Sequence, residues 1–537
     1  MTYANDVQTV ATPVNQPVRG MNQIVNRTGG YGFEITDEQR LERFLILGHQ
    51  GGTYYATQRE LSYETADCLD RLDPLTAIEI ICNVSDKGRA PKNDPAIFAL
   101  AYLTAKRHPS VTGYVLSHAV RKVCRTGTHL FDYLNNCKAL GRGWGPAFCR
   151  AISDWYTQRS PLSLAKQVTK YAQRNGWSHR DVLRKCHVVP GNYTQNMVLA
   201  FAAQHDGWGG CLPDDANWDS YNVHAYLHAV TVAHADGTTA NDLIRLIEQV
   251  GLEREHIPTE KLNMPAIWEA LLPNMGLMAM IRNLNKMTSI GMVRPLSVAS
   301  NLICEKLNDA EAIKTQRLHP IAILIAQRMY KRGYGDLGSL RWTPDQNVVA
   351  ALESAFYKAF DAVEPTGKRI MLGVDVSGSM GNHRCTGTNL LTSREAACLM
   401  AMLAVRTEPR TFIHAFSNEF MALPLSKTST LEEAVTYTRT LPFMRTNCGI
   451  PMQYAIAHNL EVDCFCIYTD NETNDGERQA FQLLRKYRER TGINAKLAVF
   501  GFANTNFSIA DPNDAGMMDF VGFDASAPVL LNNFIES

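Results

Sequence analysis

Long apolar runs are missing from this chain of 537 residues; the longest, AACLMAMLAV at 396–405, falls far short of a bilayer span. No membrane-spanning helix is expected. The first twenty residues, MTYANDVQTVATPVNQPVRG, lack the basic start and apolar run of a secretory signal. CxxC pairs are also missing. The 13 cysteines are scattered, and Cys464 and Cys466 sit in the apolar run VDCFCIY, where free thiols behave as small hydrophobes. Neither a disulfide framework nor a zinc ribbon is expected, and a reducing compartment fits better. The third scarcity is local. From Ser85 to Pro190 there are 18 Lys and Arg, five Asp and no Glu, a net +13. The chain as a whole carries 53 basic and 53 acidic residues, so the remainder has 35 against 48, or −13. Such asymmetry within a neutral chain points to a polyanionic partner for the basic part.

The length implies several domains, and 45% hydrophobic with 20% charged residues is an ordinary globular balance. Residues 1–30 are polar and aperiodic, as in an extended arm. A helical pattern then runs to about 362. Thr36 followed by Gln39 is a capping box, and Asp73-Pro74 places proline in a first helical turn. Further helices are expected at 95–107, 112–125, 160–174, 178–187, 239–250, 265–286, 319–332 and 344–362. Strand-like alternation is almost absent here, so 31–362 reads as an all-α domain, either a globule or a solenoid of helix pairs.

From 363 to 537 the pattern alternates. Apolar runs at 369–375, 410–416, 462–470, 496–502 and 519–523 are separated by helices at about 391–406, 430–440, 449–459 and 476–490. This predicts a doubly wound, mostly parallel sheet, which binds ligands at the carboxyl ends of its strands. The first strand ends in DVSGS, with Asp375, Ser377 and Ser379 at alternate positions. A P-loop, a dinucleotide fingerprint and a nucleophile elbow all fail to match. An aspartyl phosphotransferase would want an acid where Ser377 stands. One carboxylate and two hydroxyls on an extended loop suit a hard cation, Mg²⁺ or Mn²⁺, and Asp470 ends a later strand on the same sheet edge. Short Asp/Ser stretches also cap helices, which is the plainer reading of the same residues. No His or Glu is placed as a general base, so binding is favoured over hydrolysis.

DVSGSM resembles the metal-ion-dependent adhesion site of von Willebrand factor A domains. The resemblance implies that Thr446, in RTNCGIPMQYAI, and Asp470, in YTD, complete the cation shell with Asp375, Ser377 and Ser379. The chain departs from that pattern after Asp470, where NETNDG stands in place of an immediate glycine.

In the basic stretch, Leu164, Val168 and Tyr171 form an apolar stripe, while Lys166, Lys170 and Arg174 stack at i, i+4, i+8 with no Glu on that helix. Asn175-Gly176 reads as its C-cap. Ser178 with Asp181 opens the next helix, which carries Arg180, Arg184, Lys185 and His187. Arg121, Lys122, Arg125, Lys138 and Arg142 extend the excess. Like charges so arranged repel unless an anion balances them, and a phosphate backbone is the obvious polyanion. Nearby aromatics such as Trp144 and Tyr171 are assigned to packing before base stacking.

RNGWSHRDVLRKCH, GRGWGPAFCRAISDWY and YGDLGSLRWTPDQ, together with the domain order, make the whole chain resemble the TROVE-domain family of Ro ribonucleoproteins. That resemblance implies a ring of HEAT-type helix pairs followed by the α/β domain. It also implies binding of Y RNAs and of single-stranded 3′ ends of defective noncoding RNAs, in RNA quality control without catalysis. The expected location is cytoplasm with a nuclear fraction, and the expected state is a monomer with an acidic protein as candidate ligand at the cation; no membrane contact is expected, since no strongly amphipathic helix sets bulky aromatics against a Lys-rich side. The matching basic positions are Lys170, Arg174, Arg180, Lys185 and His187; Arg184 comes from spacing alone. The rival readings are a metal-dependent hydrolase or phosphotransferase using Asp375, and an adhesion-type scaffold.

Overall fold

The computed structural model describes residues 11–26, 28–47, 67–90, 92–205, 208–209, 217–316, 318, 320–335, 339–359, 365–382, 392–442, 444–502, 507–521 and 527–536. Part of the expected arm (1–10), part of YGDLGSLRWTPDQ (336–338) and the end of the last expected strand (522–523) lie outside them. The strands are β1 Gln23–Val25, β2 Tyr31–Glu34, β3 Gln173–Arg174, β4 Trp177–Ser178, β5 Arg369–Asp375, β6 Arg410–Phe416, β7 Phe420–Ala422, β8 Cys464–Thr469, β9 Lys496–Gly501, β10 Phe507–Ser508 and β11 Met517–Val521. The eleven cysteines among the described residues are free, and no described helix is long and apolar enough to cross a membrane.

Two compact units emerge. One unit spans 73–88 and 92–359; the other joins the residues up to Leu72, with 89–91, to those from 360 onward. The reason is pairing and packing. β2 lies between β1 and β10, both antiparallel to it. Val18 and Phe33 belong to the core of the C-terminal unit, where Phe33 meets Phe481 edge-on at 5.1 Å. Arg43, fully buried, pairs with Asp519 and donates to the Phe507 carbonyl at 3.2 Å.

The helical unit is built from short helices packed on near neighbours in sequence. Gly113–Val123 lies on Pro146–Thr157, Asp94–Lys106 on Gly127–Ala139, and Val298–Asn308 on Gln346–Lys358. Local signals read correctly where partners are three residues apart. Asp73 caps Pro74–Asp86 by accepting from Thr76 N–H, and Ser178 and Asp181 form a reciprocal capping box. Two expected helices are corrected. The 265–286 segment breaks into Pro265–Leu271, a 3₁₀ turn at Leu272–Asn274, and Leu277–Ser289, because Pro273 has no N–H to continue the ladder. The 160–174 helix stops at Lys170. Residues 173–178 form a hairpin instead, pairing Gln173 with Ser178 and Arg174 with Trp177. Asn175 (φ 51°) and Gly176 (φ 75°) are its two-residue turn. Two successive positive φ angles match the twist of a hairpin, and Asn-Gly is the pair that adopts them most readily. Arg174 therefore leaves the face that Lys166 and Lys170 share.

The C-terminal unit carries a six-stranded sheet in the order β11-β9-β8-β5-β6-β7, parallel except for β7. β5 and β8 are buried almost throughout, which is why their sequences read as continuous apolar runs. From β5 the chain builds outward to β6 and β7, then returns to the opposite side with β8. The crevice beyond the ends of β5 and β8 is therefore the switch point where this topology places ligands.

Candidate cation site and basic face

The register between β5 and β8 pairs Val374 with Tyr468. Asp375 thus ends its strand beside Thr469, and Asp470 follows one residue on. Both aspartates are fully buried. Asp375 Oδ1 accepts from Ser377 N–H at 2.8 Å, and Oδ2 accepts from the Thr469 hydroxyl at 2.7 Å. Ser379 lies not on an extended loop, as expected, but in the helical turn Gly378–Asn382. That turn still brings its Oγ to 3.1 Å from Ser377 Oγ. Thr446 precedes the helix Ile450–Ala457 and is nearly buried. After Asp470, Asn471 adopts φ 68°. It takes the left-handed conformation a glycine would favour, which asparagine tolerates.

Two carboxylates and the hydroxyls of Ser377 and Ser379 meet here as hard oxygen donors, and Thr446 is tied by its backbone to the loop that follows Asp470. Burial first, and then the charge of Asp470, push the Asp375 carboxyl up to about 7. A divalent cation would reverse that penalty, since it is the species two adjacent buried carboxylates can share. The residues fit such an ion. Among the described residues no group of three or more His, Cys, Asp or Glu is arranged to hold a metal; of the five expected donors only Asp375 and Asp470 are of these types. Three supports escaped the sequence reading: the Thr469 hydroxyl, the Asn474 carboxamide that accepts from Thr446 N–H at 2.8 Å, and Arg394. The Arg394 guanidinium donates to the carbonyls of Val376 (2.8 Å) and Ser377 (2.9 Å). Only contacts across the fold identify them.

The eleven basic residues expected at RNA fall into three groups. Lys138, Arg142 and Lys185 surround one aromatic cluster. Trp144 stands 5.7 Å from Trp177 and 5.3 Å from Phe148 by ring centroids. Lys138 Nζ lies 5.9 Å from the Trp177 ring, Lys185 Nζ 5.5 Å from Trp144, and the Arg142 guanidinium 5.1 Å from Phe148. The rings pack on one another and hold the cations above them, in agreement with a packing role for Trp144. A second group is ion-paired. Lys122 meets Asp86 at 2.6 Å and Arg174 meets Asp132 at 3.0 Å. Lys170 pairs with Glu253 and reaches Glu255 at 3.7 Å. Burial draws the Lys170 pKa down, but the hydrogen bond and charge of Glu253 outweigh it and leave it raised. No Glu lies on this lysine's own helix, as expected, and the offsetting Glu253 comes from 83 residues downstream. The third group comprises the exposed Arg121, Arg184 and His187, the half-buried Arg125, and Arg180, which donates to Gln204 at 3.2 Å.

Beneath this face lies His179, which the sequence reading passed over. Its Nε2–H donates to the Tyr171 carbonyl at 3.1 Å and Nδ1 accepts from the Tyr156 hydroxyl at 2.9 Å, since a carbonyl can only accept. Burial pushes its pKa down to about 4. The unfolded chain therefore binds more protons between pH 6.5 and 4, and stability falls on acidification through that window. From pH 7 to pH 5 the expected loss from this residue is about 2 kcal/mol. Urea titrations at the two pH values will measure it, and His179→Gln should remove this part of the slope.

The chain matches two family models, the TROVE domain over residues 24–209 and 249–329 and the Ro60 vWA domain over 369–535. It is 33% identical to the RNA-binding protein RO60 of Caenorhabditis elegans, covering 96% of this chain and 90% of that protein. With the RNA-binding protein RO60 of Deinococcus radiodurans the identity is 36%, over 97% of each chain. The crystal structure of the Deinococcus radiodurans RO (RSR) protein superimposes with a TM-score of 0.65 at 35% identity, over 93% of this chain and 99% of that one. A helical unit and a Ro60-type A domain, in this order and at this identity along nearly the full length of both relatives, show that the chain belongs to the RO60 family.

Proposed function

We propose that this chain binds noncoding RNA through the basic face of its helical unit and acts without catalysing a reaction on it. The observation that carries this is the convergence of Lys138, Arg142 and Lys185 on the Trp144–Trp177–Phe148 cluster, in a family whose members are named for RNA binding. Cations held above rings keep their positions at little entropic cost and present their charge outward to phosphate. We take the targets to be Y RNAs and the single-stranded 3′ ends of defective RNAs, and the role to be noncoding-RNA quality control. The A-type domain is proposed to hold Mg²⁺ through Asp375, Ser377, Ser379, Thr446 and Asp470. When bound, the ion would offer an open coordination position to an acidic side chain of a protein partner. Asp375 is engaged by Ser377 N–H and the Thr469 hydroxyl, an arrangement suited to holding an ion rather than activating a nucleophile.

The deciding experiment is the affinity for an RNA with a free 3′ tail, measured between 50 and 300 mM salt (about the range where counterion release dominates). Three phosphate contacts predict that log K falls against log salt with a slope of roughly −2 or steeper. A flat dependence would refute the reading.

A further inference from the structure

The cation site is braced from the far end of the chain. We propose that Asn26, in the turn between β1 and β2, is a positioning residue for that site, setting Thr446 and Asp470 through the backbone of Thr473. The inference rests on the divalent-cation reading of the preceding section.

The link is continuous. Asn26 is 5% exposed. Its Nδ2 donates to the Thr473 carbonyl at 2.6 Å, while its Oδ1 accepts from the N–H of Thr28 at 3.1 Å and of Gly30 at 2.7 Å. The Thr473 hydroxyl donates to the Thr446 carbonyl at 3.3 Å. That carbonyl also accepts from the N–H of Asn474 at 2.9 Å and of Asp475 at 3.0 Å. The Asn474 side chain accepts from Thr446 N–H at 2.8 Å. Thr446 is thus fastened to residues 473–475, and Asn26 fastens that loop. The same loop begins at Asp470, whose Oδ1 accepts from Glu472 N–H at 3.1 Å.

The approach is close as well as bonded. A Cβ on Gly30 would stand 1.7 Å from the Thr473 carbonyl oxygen, and both sides of that contact are backbone. Further along, Val14 N–H donates to the Gly476 carbonyl at 3.0 Å, and the Gln479 carboxamide joins the Gln16 carbonyl (2.7 Å) to the Gln23 side chain (2.6 Å). Residues 14–26 and 28–30 therefore run along 473–479 as a second layer behind the ligand loops. Outer-layer hydrogen bonds that orient ligands typically govern metal affinity by about 10- to 100-fold.

Asn26→Asp in the full-length protein separates positioning from stability. The carboxylate still accepts from Thr28 and Gly30 but sets an oxygen against the Thr473 carbonyl. With Mn²⁺ as the probe, followed by calorimetry below the melting transition, we expect the affinity to fall about tenfold or more. Gly30→Ala should act in the same direction by pushing the turn off the loop. Val462→Ala, in the core of the same unit and ahead of β8 at the end opposite Asp470, should lower the melting temperature and leave Mn²⁺ affinity unchanged. Folded Asn26→Asp and Gly30→Ala proteins that bind Mn²⁺ like the unaltered chain would overturn the inference alone. So would an equal affinity loss in Val462→Ala. Absence of Mn²⁺ binding by the unaltered chain would instead overturn the cation reading, and the inference with it.

Discussion

Replacing Lys138 and Lys185 together by glutamate is expected to weaken RNA binding roughly 100-fold at physiological salt, about tenfold for each reversed charge. Both ammonium groups lie over tryptophan rings of one cluster, so the pair removes adjacent phosphate contacts. The salt dependence should become shallower by about 1.4 units of slope, roughly 0.7 for each contact to a single strand. The fold should survive, because each change forfeits only a surface cation–π contact, about 0.5–1 kcal/mol. Filter binding over a salt series gives both quantities, and an unchanged affinity with an unchanged slope would remove this patch from the interface. Reversing Lys170 should behave differently. The new carboxylate would face Glu253 and Glu255, which the lysine now holds, so stability as well as affinity should drop. A melting curve separates the two effects.

The second large effect concerns the A-type domain. Saturating Mg²⁺, at about 100 times its dissociation constant, should stabilise the unaltered protein by about 2.7 kcal/mol. For a unit of this size that is a rise of roughly 5–10 °C in melting temperature. Asp375→Asn should abolish the rise. The carboxamide can still accept from Ser377 N–H and meet the Thr469 hydroxyl, so the local fold is retained. Without the ion, the variant should be at least as stable as the unaltered chain, since Asp470 no longer shares a buried site with a second carboxylate. RNA affinity should be unaffected. A variant that still gains stability from Mg²⁺ would place the ion elsewhere.

Much of this arrangement is legible in the sequence, and the reasons are local. Buried parallel strands read as apolar runs, so β5, β8 and β9 fall where RIMLGVD, VDCFCIYTD and KLAVFGF stand. Capping boxes are legible because their partners lie three residues apart. The cation motif is legible because most of its donors follow directly from strand ends. The Asn175-Gly176 turn was equally local, yet it supports two readings, a helix C-cap and a hairpin turn. Which one forms depends on whether the chain on either side can pair.

What the sequence determined by itself was the class of each domain, the oxygen donors at the end of the first strand, and a basic excess between 85 and 190. Only the tertiary structure decided which of those charges face solvent. Glu253 neutralises Lys170 from beyond the acid-poor stretch, while Lys138, Arg142 and Lys185 converge from separate segments on one set of rings. Likewise, only the fold carries the N-terminal residues to the C-terminal unit and sets Asn26 against Thr473, 447 residues away in sequence. The physical reason is the same in each case. Periodicity and capping are contacts between near neighbours in the chain, whereas ion pairing and the bracing of ligand loops depend on distances through space.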